Sequence, residues 1–505
     1  MITRLLLATL LLVTGVNTAA GAEPLRFTVT ISPDVLNEPF TGRVVVFLSR
    51  GGGRREPRFG PNWFNPEPCY SAKFTSVKPG EPMTITDANA VGFPGKPSEL
   101  EAGEWTVQAV ADRNLGGRTV GGSPGNLYSV PQQVRTDPKD AGEIKLVCDQ
   151  VVRERLFVET DSVRLVKLRS NLLSDFYGRD TFMRAAVVLP KEWRDEPQRR
   201  FPVIYDVPGF GGSPDHFSGL NPTILTVKDG VPFIVVTLDP NCPTGHCVFA
   251  DSDNNGPWGT ALTTELIPEI EKKYRAIGES GARFVTGHSS GGWSSLWLQV
   301  TYPEFFGGTW STAPDPVDFR DWQQVDLYKP GANLFTDEQG RERPIARRGD
   351  RPFLYYKRFT QMEQPIRGEQ IGSFEAVFGK RGPDGEPEHL YDRETGAVDP
   401  KVVKSWSRYD IGKILRDNWK ALGPKLAGPK LHVYCGDKDT FYLEGAVRLL
   451  KKDLADLGSD AVVDLMPGDH MTVMTPMLQQ RIAKEMAEQF RRWERERHAT
   501  TRKAA

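Results

Sequence analysis

The stretch Phe284–Trp297, FVTGHSSGGWSSLW, restricts the fold more than any other in the chain. Phe284 and Val285 form a short apolar run that reads as the end of a buried strand. Gly287-His288-Ser289-Ser290-Gly291 has the form G-x-S-x-G, and Trp293, Leu296, Trp297 and Val300 then recur on one side of a helical stretch. Strand, tight glycine turn and helix is the context in which a nucleophilic serine is held clear of a sheet. Without a Cβ, Gly287 and Gly291 let neighbouring backbone approach a sharp bend. The bend is expected to expose Ser289 Oγ, with His288 facing away from it. It also puts the N–H of Ser290 at a helix N-terminus, where it can face a developing oxyanion. So short a motif also arises by chance, so its meaning depends on whether partners for Ser289 follow.

The sequence around this stretch alternates strand and helix signals. Val163–Arg169 and Met183–Leu189 read as a hairpin. Pro202–Val207 and Pro232–Leu238 are continuous apolar runs, as expected of strands buried on both faces. Thr263–Tyr274 reads as a helix. Gly308–Ser311, Leu431–Cys435 and Ala461–Leu465 continue the strand series. Leu443, Val447, Leu450 and Leu454 keep a helical phase that Gly458 ends. Thr475 can cap a last helix opened by Pro476. Strands alternating with helices mean an α/β fold with a mainly parallel sheet over 161–497.

The sequence before it is different. Residues 1–22 carry Arg4, an apolar run from Leu5 to Val16 and a small Ala20-Gly21-Ala22 site, the pattern of a signal peptide. No later stretch is long and apolar enough to span a membrane, so the mature chain is expected in the periplasm or secreted. From 23 to 150 the signals are short strands separated by Gly and Pro clusters, with no helical period. They predict a smaller all-β, sandwich-like N-terminal domain of about seven strands. A linker at 151–160 joins it to the α/β domain, and 498–505 is a tail. The net charge of −1 gives no electrostatic reason to expect nucleic acid as a partner. Export permits disulfides, so Cys69 with Cys148 and Cys242 with Cys247 are candidate pairs. Cys242, His246 and Cys247 supply only three ligands for zinc. Asp251 to Gly256 opens like a calcium loop, but Leu262 stands where that loop needs a glutamate. No metal or organic cofactor is expected.

Three loops beyond strand ends bear on Ser289. Pro208-Gly209-Phe210-Gly211-Gly212 offers a backbone N–H, that of Phe210, as a second oxyanion donor beside Ser290. Gly436-Asp437-Lys438-Asp439 supplies an acid, and Pro467-Gly468-Asp469-His470 a base. Of the seven histidines, only His470 lies in a loop after a late strand and downstream of a candidate acid. Asp437 and Asp439 compete for the acid role. Asp439 is preferred because it lies further beyond the strand, and Asp469 reads as a turn residue. The order Ser289, Asp439, His470 is that of α/β-hydrolases. The chemistry needs a base to take the serine proton and an acid to hold the imidazole in one tautomer.

These residues carry a resemblance. FPVIYDVPGFGG at 201–212, NNGPWGTALTTELIPEIEKKY at 254–274, TGHSSGGWSSLWL at 286–298, GDKDTFYL at 436–443 and PGDHM at 467–471 look like the putative-esterase family of α/β-hydrolases. That family includes esterase D, enterochelin esterases, feruloyl and acetylxylan esterases and mycolyltransferases. The resemblance implies a nucleophile at Ser289, an acid at Asp439 and a base at His470. It does not cover residues 23–150, and an N-terminal β-domain before the hydrolase is similar to enterochelin esterases only in layout. The expected function is an exported serine carboxylic-ester hydrolase acting through an acyl-enzyme on a small-molecule or polysaccharide-linked ester. An acyltransferase of the same fold, or a non-catalytic cell-surface binding module, is the alternative. The long polar interval 314–429 departs from shorter family members. It is expected to cover the Ser289 pocket, with the arginine-rich stretch 341–358 holding a substrate carboxylate.

Overall fold

The computed structural model describes residues 24–51, 55–137, 142–218, 227–228 and 230–504. The expected signal peptide, 1–22, lies outside them. No described helix is long and apolar enough to cross a membrane.

Eight strands form the sheet that carries Ser289. Their order is Val163–Arg169, Phe182–Val188, Ile234–Leu238, Val203–Val207, Arg283–His288, Gly308–Thr312, Leu431–Gly436 and Val462–Met466. The first two pair antiparallel and join the third antiparallel; from there every pairing is parallel. Ile234–Leu238, Gly308–Thr312 and Leu431–Gly436 are buried throughout. A parallel strand covered on both faces leaves little room for polar alternation, which is why Ile234–Leu238 and Leu431–Gly436 read as mainly apolar runs, whereas Gly308–Thr312 buries small hydroxyl side chains around Trp310.

Helices cover both faces. The helix Ser290–Thr301 packs Trp293, Leu296 and Trp297 into one core with Val433 and Leu450. On the other face the helix Pro476–Ala504 sets Ile482, Met486 and Phe490 against Phe284, Trp310 and Tyr434. Leu478 N–H donates to Thr475 Oγ1 at 3.2 Å, so the threonine caps the last helix as its type and place require.

The strands of 26–151 number nine, where about seven were expected, and hydrogen bonds join them into one sheet. Cys69–Val77, Val91–Phe93 and Leu127–Ser129 escaped the sequence reading. The sheet curls, since Phe27 and Tyr70, on strands far apart in the pairing order, stack at 5.4 Å around a shared core. The connection 152–160 has no regular structure and is largely exposed.

The expected disulfides need correction. All five cysteines are buried free thiols, so neither proposed pair is bridged; Cys148 Sγ instead faces the carbonyl of Ala109, and Cys242 Sγ the hydroxyl of Thr244. Among the described residues no group of three or more His, Cys, Asp or Glu is placed to hold a metal ion. The interval 314–429 is not a solvated excursion. It holds the hairpin Pro344–Arg348/Arg351–Tyr355 and the helices Tyr356–Glu363, Gln370–Phe378, Pro400–Trp406 and Ile411–Leu426. Phe319, Trp322, Phe378 and Trp406 are buried in one aromatic cluster with it. Most of these aromatics stand singly among polar residues, so the interval reads as polar overall although it folds around a core.

Candidate active site

The strand Arg283–His288 ends in a bend that the backbone resists. Ser289 sits at φ 60° and ψ −126°, a conformation costing about 1–3 kcal/mol that persists only where its surroundings enforce it. Glycines make the bend possible. A Cβ on Gly287 would lie 2.2 Å from the carbonyl oxygen of Gly291, and one on Gly291 would lie 1.8 Å from that of Val207. Ser289 N–H donates to the carbonyl of Thr312 at 3.0 Å. Ser290 opens the helix, so its N–H has no partner one turn back.

The loop after Val203–Val207 lies against this bend. A Cβ on Gly209 would meet Ser289 Cβ at 3.2 Å. Among the described residues the N–H of Phe210 takes no hydrogen bond. The loop is braced from several sides. His246 Nε2 lies 2.9 Å from the carbonyl of Pro208, and its Nδ1 accepts from Val248 N–H, which makes Nε2 the protonated nitrogen. Burial drives the His246 pKa down to about 4, so the ring stays neutral and keeps that tautomer. Asn241 Nδ2 donates to Gly212 O at 2.9 Å. The Phe210 ring stacks on Trp63 at 5.6 Å and carries the Arg118 guanidinium at 4.7 Å.

The acid and base loops leave adjacent strands, and a Cβ on Gly436 would lie 2.4 Å from Gly468 O. That close approach lets Asp439 and His470 meet. Asp439 is fully buried; its Oδ2 lies 2.8 Å from His470 Nδ1, and its Oδ1 accepts from Phe441 N–H at 2.8 Å. Asp437 points elsewhere, accepting from Gly468 N–H at 3.3 Å on the exposed side. Asp469 accepts from Met471 and Thr472 N–H, the turn role expected of it. Burial alone would lower the His470 pKa, but the hydrogen bond and charge of Asp439 outweigh it and hold the imidazole above its ordinary 6.5.

Ser289, His470, Gly209 and Phe210 all line one cavity of about 500 Å³. The interval 314–429 supplies much of the wall, including Trp322, Tyr356, Phe359 and Trp406, as expected of a cover. Trp63 and Phe64, from the N-terminal sheet region, also line it. Two residues were missed or misplaced by sequence reasoning. His288 does not face away: its ring packs on His470 at 4.7 Å, and burial lowers its pKa to about 4. Asp315 follows the strand Gly308–Thr312 into the cavity, where its Oδ2 accepts from Ser290 Oγ at 2.5 Å and burial raises its pKa to about 6. An acidic residue just past the strand next to the elbow was the available signal.

None of the arginines of 341–358 lines the cavity. Arg341 pairs with Asp337, and Arg343 holds backbone carbonyls. Arg348 lies over Phe353 and Arg358 over Phe93. Arg347 donates through Nε to the carbonyl of Asp439 at 3.0 Å and through Nη2 to Glu444 at 2.5 Å. It braces the acid loop and cannot meet a substrate carboxylate. Arg347→Met is therefore expected to lower kcat/KM by roughly tenfold or more. Neutral and acidic esters should be affected alike, as parallel assays would show; a loss confined to acidic esters would restore the carboxylate-binding role.

A strained serine beyond a mainly parallel sheet, with an imidazole–carboxylate pair in the same cavity, defines a site of the α/β-hydrolase class. Residues 179–367 match the family described as putative esterase. An uncharacterised protein of Corynebacterium glutamicum is 29% identical over 141 residues, which cover 26% of this chain and 32% of that protein, so the match spans about a third of the relative. Solved structures similar to the chain include a ferulic acid esterase at 15% identity (66% of this chain, all of that one, TM-score 0.41). An S-formylglutathione hydrolase from Agrobacterium tumefaciens matches at 15% (65% and 95%, TM-score 0.40). A fluorophosphonate-binding serine hydrolase of Staphylococcus aureus matches at 12% (64% and 98%, TM-score 0.42).

Proposed function

We propose that the chain is an exported serine esterase in which Ser289, Asp439 and His470 form the catalytic triad. The observation that carries this reading is the 2.8 Å contact between His470 Nδ1 and Asp439 inside the cavity that Ser289 lines. With Nδ1–H donated to the carboxylate, Nε2 is left as the base. His470 takes the Ser289 proton as Oγ attacks the acyl carbon. The N–H groups of Phe210 and Ser290 receive the oxyanion. His470 then protonates the leaving alkoxide, water attacks the acyl-enzyme with His470 again as base, and the acid and free Ser289 are released. A small fluorophosphonate should label the protein at Ser289, located by peptide mass spectrometry. An unlabelled Ser289 would favour a binding module that retains the fold. The N-terminal sheet acts in this reading as a domain of its own that is joined to the esterase, and export rests on residues 1–22; a periplasmic or secreted fraction carrying the processed chain tests it.

The pH dependence follows from the base. Only neutral His470 accepts a proton, and its pKa lies above 6.5. The acid limb of kcat/KM is therefore expected to have its midpoint above pH 6.5, with activity rising through it. His288, lowered to about 4, is already neutral there, whereas Asp315, raised to about 6, is still ionising at the foot of that limb. In Asp439→Asn the effect of burial is no longer opposed by that carboxylate, so the residual activity should show its limb at lower pH. A limb that stays in place would remove Asp439 as the partner of the base.

A further inference from the structure

The cavity over Ser289 is built almost wholly from apolar and aromatic side chains. Of the residues that line it, Asp315 is the one carboxylate, and none is a lysine, an arginine or a glutamate. The tyrosine hydroxyls on its wall are engaged, Tyr356 with Gln323 at 2.6 Å and Tyr391 with Thr360 at 2.6 Å. A volume of about 500 Å³ is far more than an acetyl group fills. The mouth is apolar too: Phe64 is 60% exposed and Met471 71%, and both line the cavity. A ligand carboxylate placed here would meet Asp315 and no lysine or arginine, in surroundings that penalise unpaired charge.

One wall of this cavity does not come from the esterase sheet or from the interval 314–429. Trp63 belongs to the N-terminal sheet region, yet it stacks on Phe210 at 5.6 Å and meets Phe359 edge-on at 5.1 Å. Its Nε1 donates to Glu369 at 3.4 Å, and Glu369 faces Arg118 at 4.0 Å. The junction is locked by Arg367, which pairs with buried Asp112 through both Nε at 2.5 Å and Nη2 at 2.7 Å. The indole is thus held rigidly between the Phe210 loop and the helix Tyr356–Glu363, where its flat face sets how wide a group can lie beside Ser289.

We propose that this site takes esters whose larger group is bulky, uncharged and apolar, and that Trp63, supplied by the N-terminal sheet, is the residue that selects for that group. The proposal rests on the esterase reading above. It is tested on the full-length protein with four esters followed by titration of released acid: vinyl acetate, vinyl octanoate, 2-naphthyl acetate and monovinyl adipate. The wild-type protein should prefer vinyl octanoate or 2-naphthyl acetate over vinyl acetate by about 100-fold in kcat/KM. Monovinyl adipate, which ends in a carboxylate, should fall at least about tenfold below vinyl octanoate. Trp63→Ala should reduce the bulky-to-small preference about tenfold, through KM, because the surface the bulky group packs on is gone. Trp63→Phe should keep most of the preference. A merely structural role for Trp63 would lower all four esters by one factor and leave the preference intact, which would overturn its selecting role. Equal turnover of vinyl acetate and the bulky esters by the wild type, or of adipate and octanoate, would overturn the substrate class even if Trp63→Ala fails to fold. Fluorophosphonate labelling separates the two readings: labelled Ser289 with no preference sinks this inference alone, and an unlabelled Ser289 sinks both.

Discussion

Ser289→Ala is expected to lower kcat by roughly 10⁴-fold or more while leaving the fold intact. The alanine keeps the Cβ that the bend already accommodates, and no backbone partner is lost, because Ser289 N–H still reaches the carbonyl of Thr312. What disappears is the oxygen that would form the acyl-enzyme. Any remaining rate comes from water held near His470 and the two N–H donors, so KM should change less than kcat. Thermal unfolding and circular dichroism check the fold, and turnover of an activated ester checks the chemistry. Near-wild-type turnover in this variant would show that catalysis does not pass through Ser289.

Asp439→Asn is expected to cost about 10⁴-fold in kcat, whereas Asp437→Asn should cost less than about threefold. The two differ by geometry. Asp439 is buried and accepts from His470 Nδ1 and Phe441 N–H; an asparagine amide can replace one acceptor but turns an N–H₂ group toward the imidazole, favouring the wrong tautomer. Asp437 is exposed, and its carboxylate accepts from Gly468 N–H. A comparable loss in both variants would mean that the acid loop matters as a unit and that neither carboxylate alone orients the base. The reverse ranking would transfer the role to Asp437.

The α/β part of the fold was legible because its rules are local. Ile234–Leu238 and Leu431–Gly436, in the middle of the Ser289 sheet, are buried throughout and mainly apolar, as cover on both faces demands. The elbow was legible for a related reason: only glycines tolerate backbone oxygens at the distances found beside positions 287 and 291. The N-terminal sheet was read less fully. Cys69–Val77 is buried over its first half and largely open over its second, so its pattern matches neither a core strand nor a regular alternation. The interval 314–429 hid its core because most of its buried aromatics stand apart among polar residues.

What the sequence determined alone is the set of chemical groups and the order in which the chain delivers them: a serine on a glycine turn, then an acid, then a histidine, each just beyond a strand. Strand order and loop length follow near neighbours in sequence, and those are the contacts a pattern can encode. Only the tertiary structure decided the contents of the cavity. Trp63 reaches Phe210, His246 holds the carbonyl of Pro208, Arg347 supports Asp439, and Asp315 meets Ser290. These contacts join residues far apart along the chain or turned by a single bend, and their partners are chosen by packing and by the need to satisfy buried polar groups. The same physics moved the arginines of 341–358 out of the site: each found a carboxylate, a carbonyl or an aromatic face nearer at hand, or stayed in solvent.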